Sequence, residues 1–279
     1  MIPYSRQNIT SKDIKEVSKV LKSDFITQGP IIEKLEREIS NYCKARYASA
    51  LNSATSALHI ACLALGLKKN DILWTTPNSF VASANCGLYC GAKVSFVDID
   101  TTNYCMSLQS LEKKLIIAKK QKKLPKVIVP VHFAGYPMDI KKMYKLKKKY
   151  KFSIIEDASH ALGAFNKDFK VGSCKYSDIT VLSFHAIKII TSAEGGMILS
   201  NSKKIIEKVK MLREHGITKN PKILKNKNPW HYEQRYLGFN YRMSEVHSAL
   251  ALSQMKSIKK NLSERKKKLK KKILKNWKP

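Results

Sequence analysis

A chain of 279 residues with 43% hydrophobic content is long and apolar enough to bury a core, which argues against intrinsic disorder. Its formal charge of +32 invites a polyanion-binding reading, yet Lys far outweighs Arg, the residue that bidentate phosphate and guanine recognition favours, so nucleic acid is not the expected partner. No apolar run approaches the roughly 20 residues needed to cross a bilayer, and Met1–Arg6 open no signal-length apolar stretch, so a cytoplasmic protein without a membrane anchor is expected.

In chain order, Thr10 and Ser11 offer a cap, Asp13 suits the first turn of a helix, and Ile14, Val17 and Leu21 recur at helical spacing, predicting a helix over 11–22. Gly29-Pro30 breaks the chain before a second helix with Leu35, Ile39 and Tyr42 on one face. From residue 46 short apolar runs alternate with helical segments: Tyr47–Leu51, Ile72–Trp74, Val94–Val97, Val127–Val131, Ser153–Ile155, Thr180–Leu182 and Met197–Leu199. Such runs predict an α/β fold with a mainly parallel sheet between helices, in which ligands collect where strands end. Leu111, Leu115 and Ala118 mark a helix whose other face is lysine, and Asp98 and Asp100 read as turn residues. Cys43, Cys62, Cys86, Cys90, Cys105 and Cys174 read as reduced, mostly buried thiols; Cys86 and Cys90 share a helix face, but no second Cys or His pair suggests zinc.

The polar residues of interest lie just past these runs. Asn52–Leu58 open a helix with small and hydroxylated residues, which fits either phosphate binding by free N–H groups or a plain cap. Phe80, in Pro77–Ala82, either stacks on a planar ring or simply packs. His132 follows the fourth run and reads as a supporting residue. Asp157 ends the fifth, where a carboxylate is costly unless paired with a cation such as a protonated pyridine, or used as a turn cap; His160 follows three residues on. Lys188 stands in the apolar run Ala186–Ile190, where desolvation frees a nucleophilic amine suited to Schiff-base chemistry, although a lysine-rich chain also places lysines there by chance. Glu194-Gly195-Gly196 supplies a tight turn into the next strand.

Taken together, Asn52–Leu58, Pro77–Ala82, Glu156–Gly163, Ser183–Gly196 and Gly238–Met243 resemble the motifs of the DegT/DnrJ/EryC1/StrS sugar aminotransferases over about residues 1–265. Within that family, Ser159–Gly163 and His185–Lys188 are most similar to the pseudaminic-acid branch, with Ile189 and Ser192 where Pro and Thr are more usual. The resemblance implies a fold-type I pyridoxal-phosphate transferase with a seven-stranded sheet. It implies that Lys188 holds the cofactor covalently and moves a proton between the substrate's C4 and the cofactor's C4′. Asp157 would hold the pyridine nitrogen protonated, Phe80 would stack on the ring, and His160 would lie by the ring hydroxyl. Ser53, Ala54, Thr55 and Ser183 would bind the phosphate, with Asn240 arriving from the other subunit of a homodimer. In a sister branch a His at the lysine position accompanies removal of a hydroxyl, so Lys188 argues for transamination; the resemblance implies amino transfer from L-glutamate to C4 of a UDP-linked 4-keto-6-deoxy sugar.

The expected division is an N-terminal helical segment at 1–45, a cofactor-binding domain at 46–242, and a connecting helix with a Lys-rich tail at 243–279. Family members continue into a small domain beside the sugar site, and here Lys256–Pro279 stands instead, with sparse apolar positions at Ile258, Leu262, Leu269 and Ile273. The expectation is a nearly complete cofactor site and an incomplete sugar site. A truncated, impaired enzyme and a basic polyanion-binding protein are the rival readings.

Overall fold

The computed structural model describes residues 6–166, 168–220, 224, 228 and 230–276, with side chains described as far as Lys268; residues 1–5, the side chains of Leu269 and Ile273, and Pro279 fall outside that range. Helices α1 (Ser11–Leu21) and α2 (Pro30–Cys43) lead into β1 (Tyr47–Leu51), α3 (Ala54–Ala64), β2 (Ile72–Thr75), α4 (Ala82–Tyr89) and β3 (Lys93–Phe96). Next come α5 (Leu108–Lys120), β4 (Val127–Ile128), α6 (Ile140–Tyr150), β5 (Ser153–Asp157) and a small hairpin of β6 (Phe165–Asn166) and β7 (Phe169–Lys170). The remainder is β8 (Ile179–Ser183), β9 (Gly196–Ser200), α7 (Lys203–Leu212), the pair β10 (Ile217–Thr218) and β11 (Glu233–Gln234), α8 (Glu245–Lys256) and α9 (Ile258–Asn276).

The main sheet has seven strands in the order β1-β9-β8-β5-β4-β2-β3. The pairs from β3 through β8 are parallel, and β9 runs antiparallel to both β8 and β1. The reversal at β9 follows from its connection: residues 184–195 hold no crossover helix, so the chain turns back on itself. β4 is shorter than its apolar run because Pro130 has no N–H to give the ladder; Val131 rejoins as an isolated bridge to Asp157.

Both faces of the sheet are covered, which is why its strands read as continuous apolar runs. Ile155, Val181 and Ile198 face α3, α4 and α7, while Ile154 faces α5 and α6, and Leu182 and Leu199 face α2 and α8. Each fully buried side chain of this size stabilises the fold by about 2 kcal/mol. Because apolar residues line both faces, the register of β5 is settled by its polar end. Glu156 points to the side of Ile154 and Asp157 to the side of Ile155, and a one-residue slip would exchange them.

The first helix departs from its predicted face. Ile14 and Leu21 are 60% and 59% exposed, whereas Asp13 and Val20 are buried. The reason is polar: Asp13 completes a capping box with Thr10 and accepts a bond of 2.8 Å from Gln254 Nε2 on α8, which turns α1 by its carboxylate rather than by its apolar stripe. α2 depends on α8 in the same way. Its N-cap, Gly29, has no side chain to offer, and Glu245 supplies both carboxylate oxygens to the N–H groups of Ile31 and Ile32 at 2.8 and 2.9 Å. Leu35 and Ile39 are buried as the periodicity predicts, as are Leu111, Leu115 and Ala118 of α5.

Candidate active site

The carboxyl ends of β1, β2, β5 and β8, with the segment after β4, open on one cleft of about 760 Å³. Of the residues singled out in the sequence, Ser53, Ala54, Thr55, Phe80, His132, Asp157, His160, Ser183 and Lys188 all line it, and Asn240 does not.

One end of the cleft is the start of α3. Ser53 is its N-cap and accepts from the N–H of Ser56 at 3.0 Å, while the N–H groups of Ala54 and Thr55, at the first two helical positions, have no acceptor within the helix. The chain can come this close to β9 only because residue 196 is glycine. A Cβ there would lie 2.5 Å from the backbone of Ser53 and 2.6 Å from the nitrogen of Ala54. Helical N–H groups without an intrahelical acceptor, a positive dipole end and the hydroxyls of Thr55 and Ser183 give this end the chemistry that suits an anion.

The floor is Asp157, 5% exposed at the end of β5. Its carboxylate accepts from Ser83 Oγ of α4 at 2.6 Å, and from the backbone N–H and Oγ of Ser159 at 3.1 and 2.7 Å. The sequence assigns neither serine a role; Ser159 enters only as the first residue of a motif. The Ser159 contact is an Asx-type turn that the spacing Asp-x-Ser encodes locally; Ser83 had a weaker signal, a second hydroxyl four residues back at Ser79 in the loop before α4, the two lying 2.9 Å apart. Behind the floor, Glu156 and His132 form a buried pair at 2.8 Å. His132 Nδ1 accepts from the N–H of Met138 at 3.0 Å, so Nε2 carries the proton and donates to Glu156. Ser177, through a very short bond, and Thr180, at 3.0 Å, also donate to that carboxylate. The supporting part expected of His132 is therefore to pin the segment after β4 against β5.

Lys188 sits on a turn between β8 and β9, its N–H donating to the carbonyl of His185 at 2.9 Å. Its Nζ lies 2.5 Å from His160 Nε2. Burial lowers the ammonium's pKa against the opposing pull of Asp157, and His160 is lowered too, by burial first and then by the Lys188 charge. The two bases therefore favour a neutral imidazole accepting from the amine. From outside, Arg265 of α9 donates to the Lys188 carbonyl at 3.0 Å, and Leu262 of the same helix packs where a side chain at Gly163 would stand.

Phe80 is 76% exposed at the cleft's mouth, on the loop before α4, and is free to cover a flat ring. Asn240 is exposed and bridges to Glu214, outside the cleft of its own chain. Among the described residues no cluster of His, Cys, Asp or Glu has the geometry of a metal site.

A helix start suited to an anion, a buried acid and a desolvated amine on one cleft match the three chemical handles of pyridoxal phosphate: its phosphate, its ring nitrogen and its aldehyde. Solved structures carry the same fold. PseC of Helicobacter pylori, an aminotransferase involved in the biosynthesis of pseudaminic acid, matches with a TM-score of 0.85 and 33% identity over 95% of this chain and 68% of its own. The putative sugar aminotransferase Spr1654 of Streptococcus pneumoniae, in its PLP form, matches with a TM-score of 0.84 and 28% identity over 96% of this chain and 70% of its own. Fold and cofactor chemistry thus define a pyridoxal-phosphate-dependent aminotransferase of fold type I.

The chain belongs to the DegT/DnrJ/EryC1/StrS aminotransferase family, whose sequence model matches residues 7–275. A UDP-4-amino-4,6-dideoxy-N-acetyl-β-L-altrosamine transaminase of Campylobacter jejuni is 42% identical over 265 residues, which cover 95% of this chain and 67% of that relative. The chain thus spans about two thirds of the relative's length.

Proposed function

We propose that this chain moves an amino group from L-glutamate to C4 of a UDP-linked 4-keto-6-deoxy sugar, in the synthesis of nucleotide sugars for surface glycans. The observation that carries the proposal is the Lys188 amine, half-buried 2.5 Å from a neutral His160 on the cleft that Asp157 closes from below. The names of the Campylobacter and Helicobacter relatives support the sugar class.

Pyridoxal phosphate, when bound, supplies the carbonyl carbon that exchanges amino groups and the ring that withdraws electrons from it. The chain's own residues do the rest. Ser53, Ala54, Thr55 and Ser183 bind the phosphate with N–H and hydroxyl donors. Asp157, fixed by Ser83 and Ser159, holds a proton at the ring nitrogen, and Phe80 covers the ring. Lys188 Nζ, a weakened base through burial, removes a proton from the carbon that bears the donor's amino group and delivers one to C4 of the sugar. His160 orients that amine by accepting its N–H. Asn240, outside its own cleft, reaches the phosphate of a second copy in a homodimer. Residues 46–242 form the cofactor domain, flanked by segments 1–45 and 243–279, in a cytoplasmic protein.

The direct test mixes purified protein with pyridoxal phosphate, glutamate and a UDP-4-keto-6-deoxy sugar, following the cofactor's visible absorbance and the amino sugar formed. A protein whose spectrum is unchanged by cofactor, and whose Lys188→Ala variant behaves identically, would sink the proposal.

A further inference from the structure

Helices α5 and α6 lie side by side over one face of the sheet, sharing the core of Leu111, Leu115, Ile140 and Met143 beneath them and joined by the ion pair of Lys149 with Glu112 at 3.4 Å. With Leu111, Leu115 and Ala118 turned to the sheet, helical spacing puts Lys113, Ile116, Ile117 and Lys120 on the outer side of α5. Ile116 and Ile117 are 45% and 56% exposed there, an adjacent apolar pair left out of the core. Beside them α6 presents Lys145 and Lys148, both exposed. Lysine is abundant throughout this chain, but its surroundings differ from helix to helix. α1, α2 and α7 set Glu16, Glu33, Glu38 and Glu207 among their basic residues, whereas α6 has no acidic residue and α5 has only Glu112, which Lys149 holds. The ion pairs of this face engage Lys141, Lys142 and Lys149, and leave Lys113, Lys119, Lys120, Lys145 and Lys148 without a carboxylate among the described residues.

We propose that this two-helix face docks reversibly on an anionic phospholipid bilayer, its unpaired lysines meeting the headgroups while Ile116 and Ile117 enter the boundary between headgroups and acyl chains. The isoleucine pair selects lipid among polyanions. A phosphate backbone offers nothing for two exposed isoleucines to enter, whereas an interfacial helix draws on charge and on buried apolar area together. Lysine suits such a surface, because diffuse attraction to many headgroups needs point charges rather than the bidentate fork of Arg. The attachment is peripheral, since none of the described helices is long and apolar enough to cross a membrane. The placement also leaves the cleft open. α5 and α6 lead into β4 and β5, so their lysine-rich C-terminal ends lie at the amino ends of those strands, opposite the carboxyl ends where the cleft stands. A docked molecule therefore still meets soluble substrates.

The test floats the purified full chain on a density gradient with vesicles of mixed phosphatidylglycerol and phosphatidylcholine, or of phosphatidylcholine alone. Partition onto the anionic vesicles should exceed that onto the neutral ones by roughly tenfold or more and disappear at about 0.5 M salt. Ile116→Ser combined with Ile117→Ser leaves the charge unchanged and should weaken partition roughly tenfold. Combining Lys113→Gln, Lys120→Gln and Lys145→Gln should weaken it roughly a hundredfold, whereas Lys12→Gln, Lys15→Gln and Lys34→Gln, on α1 and α2, should change it by less than about threefold. All these side chains are exposed, and circular dichroism confirms that each variant keeps the fold. Equal binding to neutral vesicles, undiminished partition in the isoleucine variant, or equal losses in the two lysine variants would each overturn the proposal. So would a short RNA that binds as tightly as the vesicles and is indifferent to the isoleucines, which would assign the face to nucleic acid instead.

Discussion

Lys188 Nζ and His160 Nε2 stand 2.5 Å apart, two bases from different strand ends placed so that one proton serves both. Burial lowers both pKa values, and the Lys188 charge lowers that of His160 further, so the pair favours a neutral ring accepting from the lysine.

Lys188→Ala should therefore abolish amino transfer, by roughly a thousandfold or more, with no loss of fold, because the wild-type amine is itself penalised by burial. Steady-state assay and urea unfolding measure the two sides. Retention of even a tenth of the activity would refute the assigned role.

The pH dependence of stability has a definite sign. Each folded-state pKa lies below its unfolded value, so between the two the unfolded chain binds more protons and stability rises with pH. The window closes near 6.5 for His160 and near 10.5 for Lys188. Urea melts across pH should show His160→Gln flattening the acidic part and Lys188→Met the alkaline part. In Lys188→Met, the His160 titration followed by NMR should move upward as the repelling charge disappears; an unmoved midpoint would contradict the coupling.

Ser83→Ala should weaken cofactor binding by about tenfold, because one of the hydroxyls directed at Asp157 is lost and a buried acceptor goes short by roughly 1–2 kcal/mol. Asp157→Asn should cost far more in kcat than in cofactor affinity. Equal effects of the two variants on both parameters would show that Ser83 does not act through Asp157.

Glu156→Ala leaves His132, Ser177 and Thr180 with no carboxylate to meet and should destabilise the fold by about 3–5 kcal/mol, whereas Glu156→Gln, which keeps an acceptor, should lose less. Chemical denaturation orders the variants; a reversed order would remove the pair from the account of how β5 is fixed.

Glu245→Ala should cost about 2 kcal/mol by uncapping α2 across the interface with α8. Thermal melts with and without the substitution, repeated in Glu245→Gln, separate the loss of acceptors from the loss of charge.

Much of this site was legible because it is written at strand ends. In a largely parallel sheet the carboxyl ends share one edge, so Ser53, Asp157, Ser183 and Lys188 had to converge once their runs were recognised as strands. What escaped was pairing across elements. Nothing near Ser83 announces a partner 74 residues on, and His132 and Glu156 find each other through the β4–β5 register. The turn of α1 was misread for the same reason, since Gln254 decides which side of that helix is buried. Asn240 lies outside the cleft of its own chain, and its expected reach requires a second copy.

Glu245 and Gln254 also set an order of events during synthesis. The carboxylate that finishes the start of α2 lies 214 residues downstream of Ile31, and the amide that holds Asp13 lies 241 residues beyond it. On a ribosome, the opening helices must wait for nearly the whole described polypeptide to emerge before they find their seats. Nascent chains stalled before residue 245 should thus expose the first forty residues to protease, and chains stalled well past residue 256 should hide them.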